Sequence, residues 1–190
     1  MIETLVHYDK ALFLYLNGLG TPAWDGFWMF MTNKLSSIPL YIVLLLLCIK
    51  QFGWKKTGVI LITIALLIAA TDQLANVFKY GFARLRPCHT PDIIDKMRLV
   101  KSYCGGKYGF FSAHAGNCFA VAMFFTLVFR KTLKFLSYIL FIWAITVAFS
   151  RVYIGVHYPL DVLMGALVGC TVGYIFYLIF KKVSSKLKLA

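Results

Sequence analysis

Two histidines, one aspartate and four cations are spaced so that they could hold and attack a single anionic, oxygen-rich group. They fall in three clusters in a fixed order: Lys79, Arg84 and Arg86-Pro87; then Phe111-Ser112-Ala113-His114; then Ser150-Arg151 followed by His157 and Asp161. Arginine forks engage two oxygens of a phosphate at once, and a fixed lysine adds a point charge. His157 and Asp161 are four residues apart, so the carboxylate can accept a hydrogen bond from the imidazole. That bond fixes the tautomer and frees the other ring nitrogen for attack. Ser112 suits an N-cap and Pro159 a first helical turn, which would aim two sets of backbone N–H groups at the same anion. Asp161 is the only carboxylate within these clusters, too few for a two-metal centre, so no metal and no cofactor are expected.

Each cluster alone is weak: a lone histidine at a helix end is usually a cap, and a lone arginine beside an apolar run is usually a headgroup anchor. Together, in order and at one end of their helices, they argue for phosphoryl chemistry. Asp72, Asn76 and Lys79 follow i, i+4, i+7 and make one polar stripe within an apolar run. Lys79 fits phosphate binding there, while Asp72 reads first as a bond to a neighbouring helix and second as an accessory site residue.

The elements that must carry these residues are apolar. Hydrophobic residues make up 61% of the 190-residue chain and charged residues 14%, with a mean hydropathy of +0.77. A soluble domain of this size would expose too much of that surface, so the fold class is all-α, an integral membrane helical bundle. Clear spans cover residues 56–80, 112–130, 134–150 and 159–180. A fifth, 38–49, reaches across about 30 Å of hydrocarbon if it continues a helix from 24–30, which Pro39 would kink or restart. Residues 1–18 read as an interfacial amphipathic helix, because His7, Asp9 and Lys10 make a crossing costly. Five crossings result, or six if that helix spans. The first residues carry Glu3 and Asp9 but no lysine or arginine, unlike a cleaved signal peptide. The whole chain, 1–190, reads as one membrane-embedded domain with its chemistry in 79–161.

Net charge is +13, from 20 basic and 7 acidic residues. Its placement excludes a nucleic-acid footprint. Lys50, Lys55 and Lys56, then Arg130, Lys131 and Lys134, then the basic tail of 181–190 sit at one set of run ends with no acidic residue among them. This is the cytoplasmic signature of a multi-pass protein, and it puts the chemical clusters on the opposite, exterior face. The exterior connection 82–111 is long enough to be functional. Thr90-Pro91 starts a short surface helix with an apolar stripe of Ile93, Met97 and Val100. Cys88 and Cys104 both lie in this connection and can form a disulfide if the compartment is oxidising, whereas Cys48, Cys118 and Cys170 read as packing residues.

The three clusters resemble the signature motifs of the type 2 phosphatidic acid phosphatase family, which includes glucose-6-phosphatase and vanadium haloperoxidases. The likeness covers 79–161. The first and third motifs match in full, while Phe111 and Ala113 replace the proline and glycine of the family's Pro-Ser-Gly-His. The resemblance implies a membrane phosphatase with a phosphohistidine intermediate. His157 would be the nucleophile, Asp161 its orienting partner and His114 the acid for the leaving group. Lys79, Arg86 and Arg151 would hold the phosphoryl oxygens, with Ser112, Ala113 and backbone N–H groups completing the cradle and Arg84 an accessory contact. A lipid phosphate or diphosphate among membrane lipids is the implied partner, in a bacterial cytoplasmic membrane. Of undecaprenyl diphosphate, phosphatidic acid, phosphatidylglycerol phosphate and a lipid A phosphate, the loop cations Lys96, Arg98, Lys101 and Lys107 lean toward the first. A non-catalytic transporter of a phosphorylated lipid is the reading from another class, though no internal repeat supports it. Nothing in the sequence specifies an oligomeric state.

Overall fold

Gly53 decides how the longest apolar stretch is used. In the computed structural model, which describes residues 2–188, α3 (Ile38–Phe82) is broken there at φ 70° and ψ 173°, a conformation other residues adopt only with strain. The break yields two limbs, 38–52 and 54–82. Tyr41, Leu44 and Cys48 of the first limb and Ile60, Ile64 and Ile68 of the second wall one apolar groove of about 220 Å3.

The first limb does not continue from the preceding helix, contrary to the sequence expectation. α2 (Pro22–Thr32) stops because the Asn33 side chain accepts the Leu35 N–H at 2.9 Å, turning the chain into a 3-10 turn at Lys34–Ser37. Pro39, which has no N–H to donate, then sits in the first turn of a new helix.

Among the described residues, three segments are long and apolar enough to cross a membrane: Lys34–Phe82, Leu136–Tyr153 (α6) and Pro159–Lys186 (α7). α5 (Ala113–Phe129) is a shorter apolar helix of 17 residues, about 25 Å long. It is buried on all sides by α3, α6 and α7. The result is an all-α membrane bundle; among the described residues the only β pairing is an isolated bridge between Leu85 and Tyr108. Lys181, Lys182 and Lys186 extend α7 as helix, and residues 189–190 of the expected tail lie outside the described part.

α1 (Ile2–Gly18) lies against the ends of α6 and α7 that carry Arg151 and Asp161. Its buried face is Asp9, Phe13 and Asn17, four apart, while Leu5, Tyr8, Leu12 and Tyr15 are exposed. Of the three polar groups that argued against a crossing, Asp9 is turned into the protein, whereas His7 is exposed and Lys10 is half-buried, 3.3 Å from Asp92. The Asn17 amide donates to the Tyr153 carbonyl at 2.8 Å and accepts the Arg98 N–H at 2.7 Å. In the long connection, α4 (Pro91–Ile94) is a single turn. Ile93 packs with Met97, but Val100 joins a different cluster, so the expected three-residue stripe is divided.

The α5–α7 contact is set by small residues. Gly165, Gly169 and Gly173 of α7 meet the α5 backbone directly. A Cβ on Gly165 would lie 2.6 Å from the Ser112 carbonyl oxygen, and one on Gly169 or Gly173 would collide with the carbonyl oxygen of Gly116 or Ala120. Backbone is not a yielding neighbour, so overpacking here costs at least about 1–3 kcal/mol. Gly169→Val is expected to lower the thermal unfolding midpoint strongly or abolish folded protein. Gly58→Ala, where a Cβ meets nothing within 4 Å, should be neutral or slightly stabilising. Size-exclusion profiles and unfolding midpoints in detergent check both.

Candidate active site

Four helix ends and one corner deliver the site residues. Lys79 is in the last turn of α3, which ends at Ala83 in the left-handed conformation with its N–H on the Lys79 carbonyl at 3.0 Å. The chain then pairs briefly with residues 107–109. Arg86 N–H donates to the Lys107 carbonyl at 3.1 Å and Gly109 N–H to the Arg84 carbonyl at 2.9 Å, which holds Arg86 in place. His114 is in the first turn of α5 and Arg151 in the last turn of α6. His157 sits in the corner before α7, after Gly155 at φ 85°.

Lys79, Arg86, His114, Arg151 and His157 line one cavity of about 410 Å3. Both imidazoles thus face the same space. His157 is buried, with Nδ1 3.2 Å from Asp161 Oδ2 and Nε2 3.0 Å from Arg86 Nη1. A guanidinium has only donors, so Nε2 must carry the lone pair and Nδ1 the proton that Asp161 accepts. Burial, and then the charges of Arg86, Arg151 and Lys79, hold the His157 imidazole well below its ordinary range. Burial also pushes the Arg86 guanidinium down, opposed by Asp161.

Asp161 reaches His157 because it is the third residue of α7 and folds back onto the helix start. Its Oδ2 also accepts the Tyr158 N–H at 3.0 Å, and Oδ1 accepts from Arg84 Nη1 at 2.8 Å. The Nε groups of Arg86 and Arg151 are buried without a protein partner, as is Ser112 Oγ. Two arginines lining one cavity with donors to spare form a receptor for an oxyanion.

The accessory role expected for Arg84 needs correction. Both of its terminal nitrogens are taken by carboxylates, Asp161 and Asp9, and its guanidinium stacks on the Tyr158 ring, 4.3 Å from the centroid. It braces Asp161 from behind. Asp72 lines the cavity and accepts from Asn117 of α5 at 2.9 Å, joining α3 to α5. Ala113 lines the cavity too. Ser112 occupies the N-cap position of α5, but its hydroxyl makes no capping bond; its N–H donates to the Asp161 carbonyl at 2.9 Å. The Cys88 and Cys104 sulfurs meet, with Cα atoms 6.2 Å apart.

Several participants were not found in the sequence. Thr32, which accepts a hydrogen bond from Arg151, and Lys34 and Tyr41 line the same cavity. Lys34 is a lone cation between two apolar runs, which is the one signal that could have marked it. Asp9 binds both Arg84 and, at 2.9 Å, the Leu160 N–H at the start of α7. Beside the main cavity, a second polar one of about 310 Å3 shares Lys79 and Arg86 and adds Asn76, Lys107 and Tyr108. On the membrane side, Tyr41 and Ile68 are common to the main cavity and the apolar groove between the α3 limbs.

The profile described as the PAP2 superfamily matches residues 57–185, more than half of the chain. The chain belongs to the PAP2 superfamily. Among PAP2 relatives, the lipid A 4'-phosphatase of Bacteroides thetaiotaomicron is 38% identical over 99% of this chain and 84% of its own length. The lipid A 4'-phosphatase of Porphyromonas gingivalis is 36% identical over 94% of this chain and 75% of its own. The crystal structure of LpxE from Aquifex aeolicus superposes with a TM-score of 0.66 at 25% identity, covering 87% of this chain and 92% of that one. The PAP2 type phosphatidylglycerolphosphate phosphatase of Bacillus subtilis shares the fold, with a TM-score of 0.68 at 20% identity over 96% of this chain and 87% of that one. The chain is therefore a multi-pass membrane phosphatase of the PAP2 type.

Two measurements check the site. An imidazole whose native value lies below the unfolded value of about 6.5 leaves the unfolded chain binding more protons, so its contribution to stability is lost as pH falls below about 6.5. In 15N-histidine NMR, Nε2 of His157 should keep the shift of an unprotonated nitrogen from pH 8 to pH 5, and His157→Gln should flatten the decline of the unfolding midpoint over that interval. Mass measurement of intact, alkylated, non-reduced protein should find Cys88 and Cys104 unmodified, with alkylation of both appearing only after reduction.

Proposed function

We propose that this chain removes a phosphate from lipid A at the exterior face of the membrane, through a phosphohistidine on His157. The observation that carries the reading is the His157 Nε2 lone pair, fixed by Asp161 and facing a cavity that also holds Lys79, Arg86 and Arg151. Nε2 attacks phosphorus and the ester P–O bond breaks. The leaving oxygen takes a proton from His114; water then attacks the phosphohistidine, returning a proton to His114 as the P–O bond forms and the P–N bond breaks, which releases inorganic phosphate and the His157 imidazole. The three cations stabilise charge spread over the equatorial oxygens, the larger part of catalysis in phosphoryl transfer.

Lipid A is favoured over undecaprenyl diphosphate, the sequence-based preference, for two reasons. Two relatives covered over most of their length are named lipid A 4'-phosphatases, whereas the undecaprenyl-diphosphatase of Sulfolobus acidocaldarius is 26% identical. Two polar cavities also share Lys79 and Arg86 in their walls, an arrangement that suits a headgroup larger than one phosphate, while the adjoining apolar groove suits an acyl chain. The exterior placement rests on the basic segments at the opposite helix ends.

The test is phosphate release by purified protein in detergent from lipid A, undecaprenyl diphosphate and phosphatidylglycerol phosphate, with and without EDTA. Release from the 4' position of lipid A should exceed the others at least tenfold and survive EDTA. His157→Ala should lower it by at least about a thousandfold with the unfolding midpoint retained. Undiminished release by that variant ends the phosphohistidine reading, and a tenfold preference for another lipid reassigns the substrate.

A further inference from the structure

The far end of the bundle contains a second basic cavity that the phosphatase reaction does not use. It is about 430 Å3 in volume and is formed where the α3 break, the end of α5 and the end of α7 come together. His114 begins α5 and Arg130 follows its last residue, so the helix separates this cavity from the active site by about 24 Å. Its cations are Lys56, Arg130, Lys131 and Lys181, its floor includes Tyr177 and Phe180, and none of its lining residues is acidic. Among the described residues, Arg130, Lys131 and Lys181 make no ion pair with a carboxylate. Arg130 instead lies over the Tyr177 ring, 5.7 Å from its centroid.

A cytoplasmic excess of lysine and arginine needs no site; it orients a membrane protein by its count alone. Ser184 separates the two cases. Its side chain lines this cavity, is 6% exposed, and its Oγ is buried with no hydrogen-bond partner. An unsatisfied buried hydroxyl is costly unless something outside the fold supplies the partner, and here it stands in a cavity whose charged groups are all cations, beside the hydroxyl residues Thr132, Tyr177 and Ser185. A hydroxyl donor beside three or four cations, over aromatic walls at the membrane boundary, matches a phosphate oxygen carried by a lipid.

We propose that this cavity binds the phosphate of an anionic phospholipid from the inner leaflet, tying together the ends of α3, α5 and α7. The ligand chemistry is a phosphate group; a lipid headgroup is its source, because the cavity sits at the bundle's membrane edge with apolar Leu127 and Val128 among its walls. A ligand bound only by the folded state raises the unfolding midpoint. The site is independent of what the catalytic cavity hydrolyses.

The test uses the full chain in a neutral detergent, reading the thermal unfolding midpoint with added phosphatidylglycerol, phosphatidylcholine or inorganic phosphate. The variants are Arg130→Gln/Lys181→Gln, both at exposed positions, and Ser184→Ala, a small change that keeps the helix. Lipid held at the catalytic cavity contributes equally to all of these proteins, so the difference between them reports the second cavity. Phosphatidylglycerol should raise the wild-type midpoint by several degrees and phosphatidylcholine should not. The double variant should lose at least half of that gain, and Ser184→Ala a smaller part of it. A matching gain from inorganic phosphate would keep the site but overturn the lipid as its source. An equal phosphatidylglycerol gain in wild type and double variant, or an equal gain from phosphatidylcholine, overturns the proposal.

Discussion

Asp161 has no exposed surface, and an ionised carboxylate so placed is tolerable only if every direction around it is satisfied. Its partners come from three parts of the chain: His157 and the Tyr158 N–H from the corner before α7, and Arg84 from the turn after α3. Arg84 in turn is fixed by Asp9 of α1, and Asp9 also caps the Leu160 N–H. One buried charge thereby joins the N-terminal helix, the first motif and the third. The second motif is joined through the backbone, by the Ser112 N–H on the Asp161 carbonyl. Arg84 is the cation among these hydrogen-bond partners, so removing it would leave buried charge uncompensated, and orientation of the His157 ring and closure of the bundle at this end share one junction.

That junction also requires α5 and α7 to be in near contact over their whole length. The glycines of α7 provide it, by letting the Ser112, Gly116 and Ala120 carbonyl oxygens sit where side chains would otherwise stand. The departures from the family's second motif fit this packing. Phe111 is fully buried and meets Phe78 at 5.2 Å between ring centroids, so it anchors the start of α5 by aromatic contact. Ala113 lines the cavity beside His114.

The parts of this arrangement that were legible in the sequence are those with a local cause. Apolar runs gave the helices of an all-α membrane bundle. The i, i+4 spacing of His157 and Asp161 announced their bond, although the bond forms through a helix start folding back and not along a helical face. What could not be read had distant partners or turned on the conformation of a single residue. Arg84 looks like a phosphate ligand beside Arg86 until Asp9, 75 residues away, is seen to claim it. The interruption at Lys34–Ser37 depends on a side-chain bond of Asn33, and the limbs of α3 on one glycine's φ. Lys34 and Thr32 enter the cavity only because that interruption brings them back over it.

The cavity itself is an arrangement a protein would not adopt for stability alone. Lys79, Arg86 and Arg151 face one space; burial disfavours charge at Arg86, and burial together with the charges of Arg86, Arg151 and Lys79 disfavours protonation of His157. The Asp161 carboxylate is already committed to His157 and Arg84, so it cannot neutralise all three. The unpartnered Nε donors of Arg86 and Arg151 belong to the same imbalance. A phosphoryl group would correct it by supplying negative oxygens to these donors, once Arg86 Nη1 gives up the His157 Nε2 lone pair. With the donors held by the fold, the correction would grow as charge develops on the transferring group, which is the condition for favouring the transition state over the bound ester. Strain of this kind has to be sustained by the rest of the fold, and here it is sustained by the tight α5–α7 seam and the carboxylate junction beneath it.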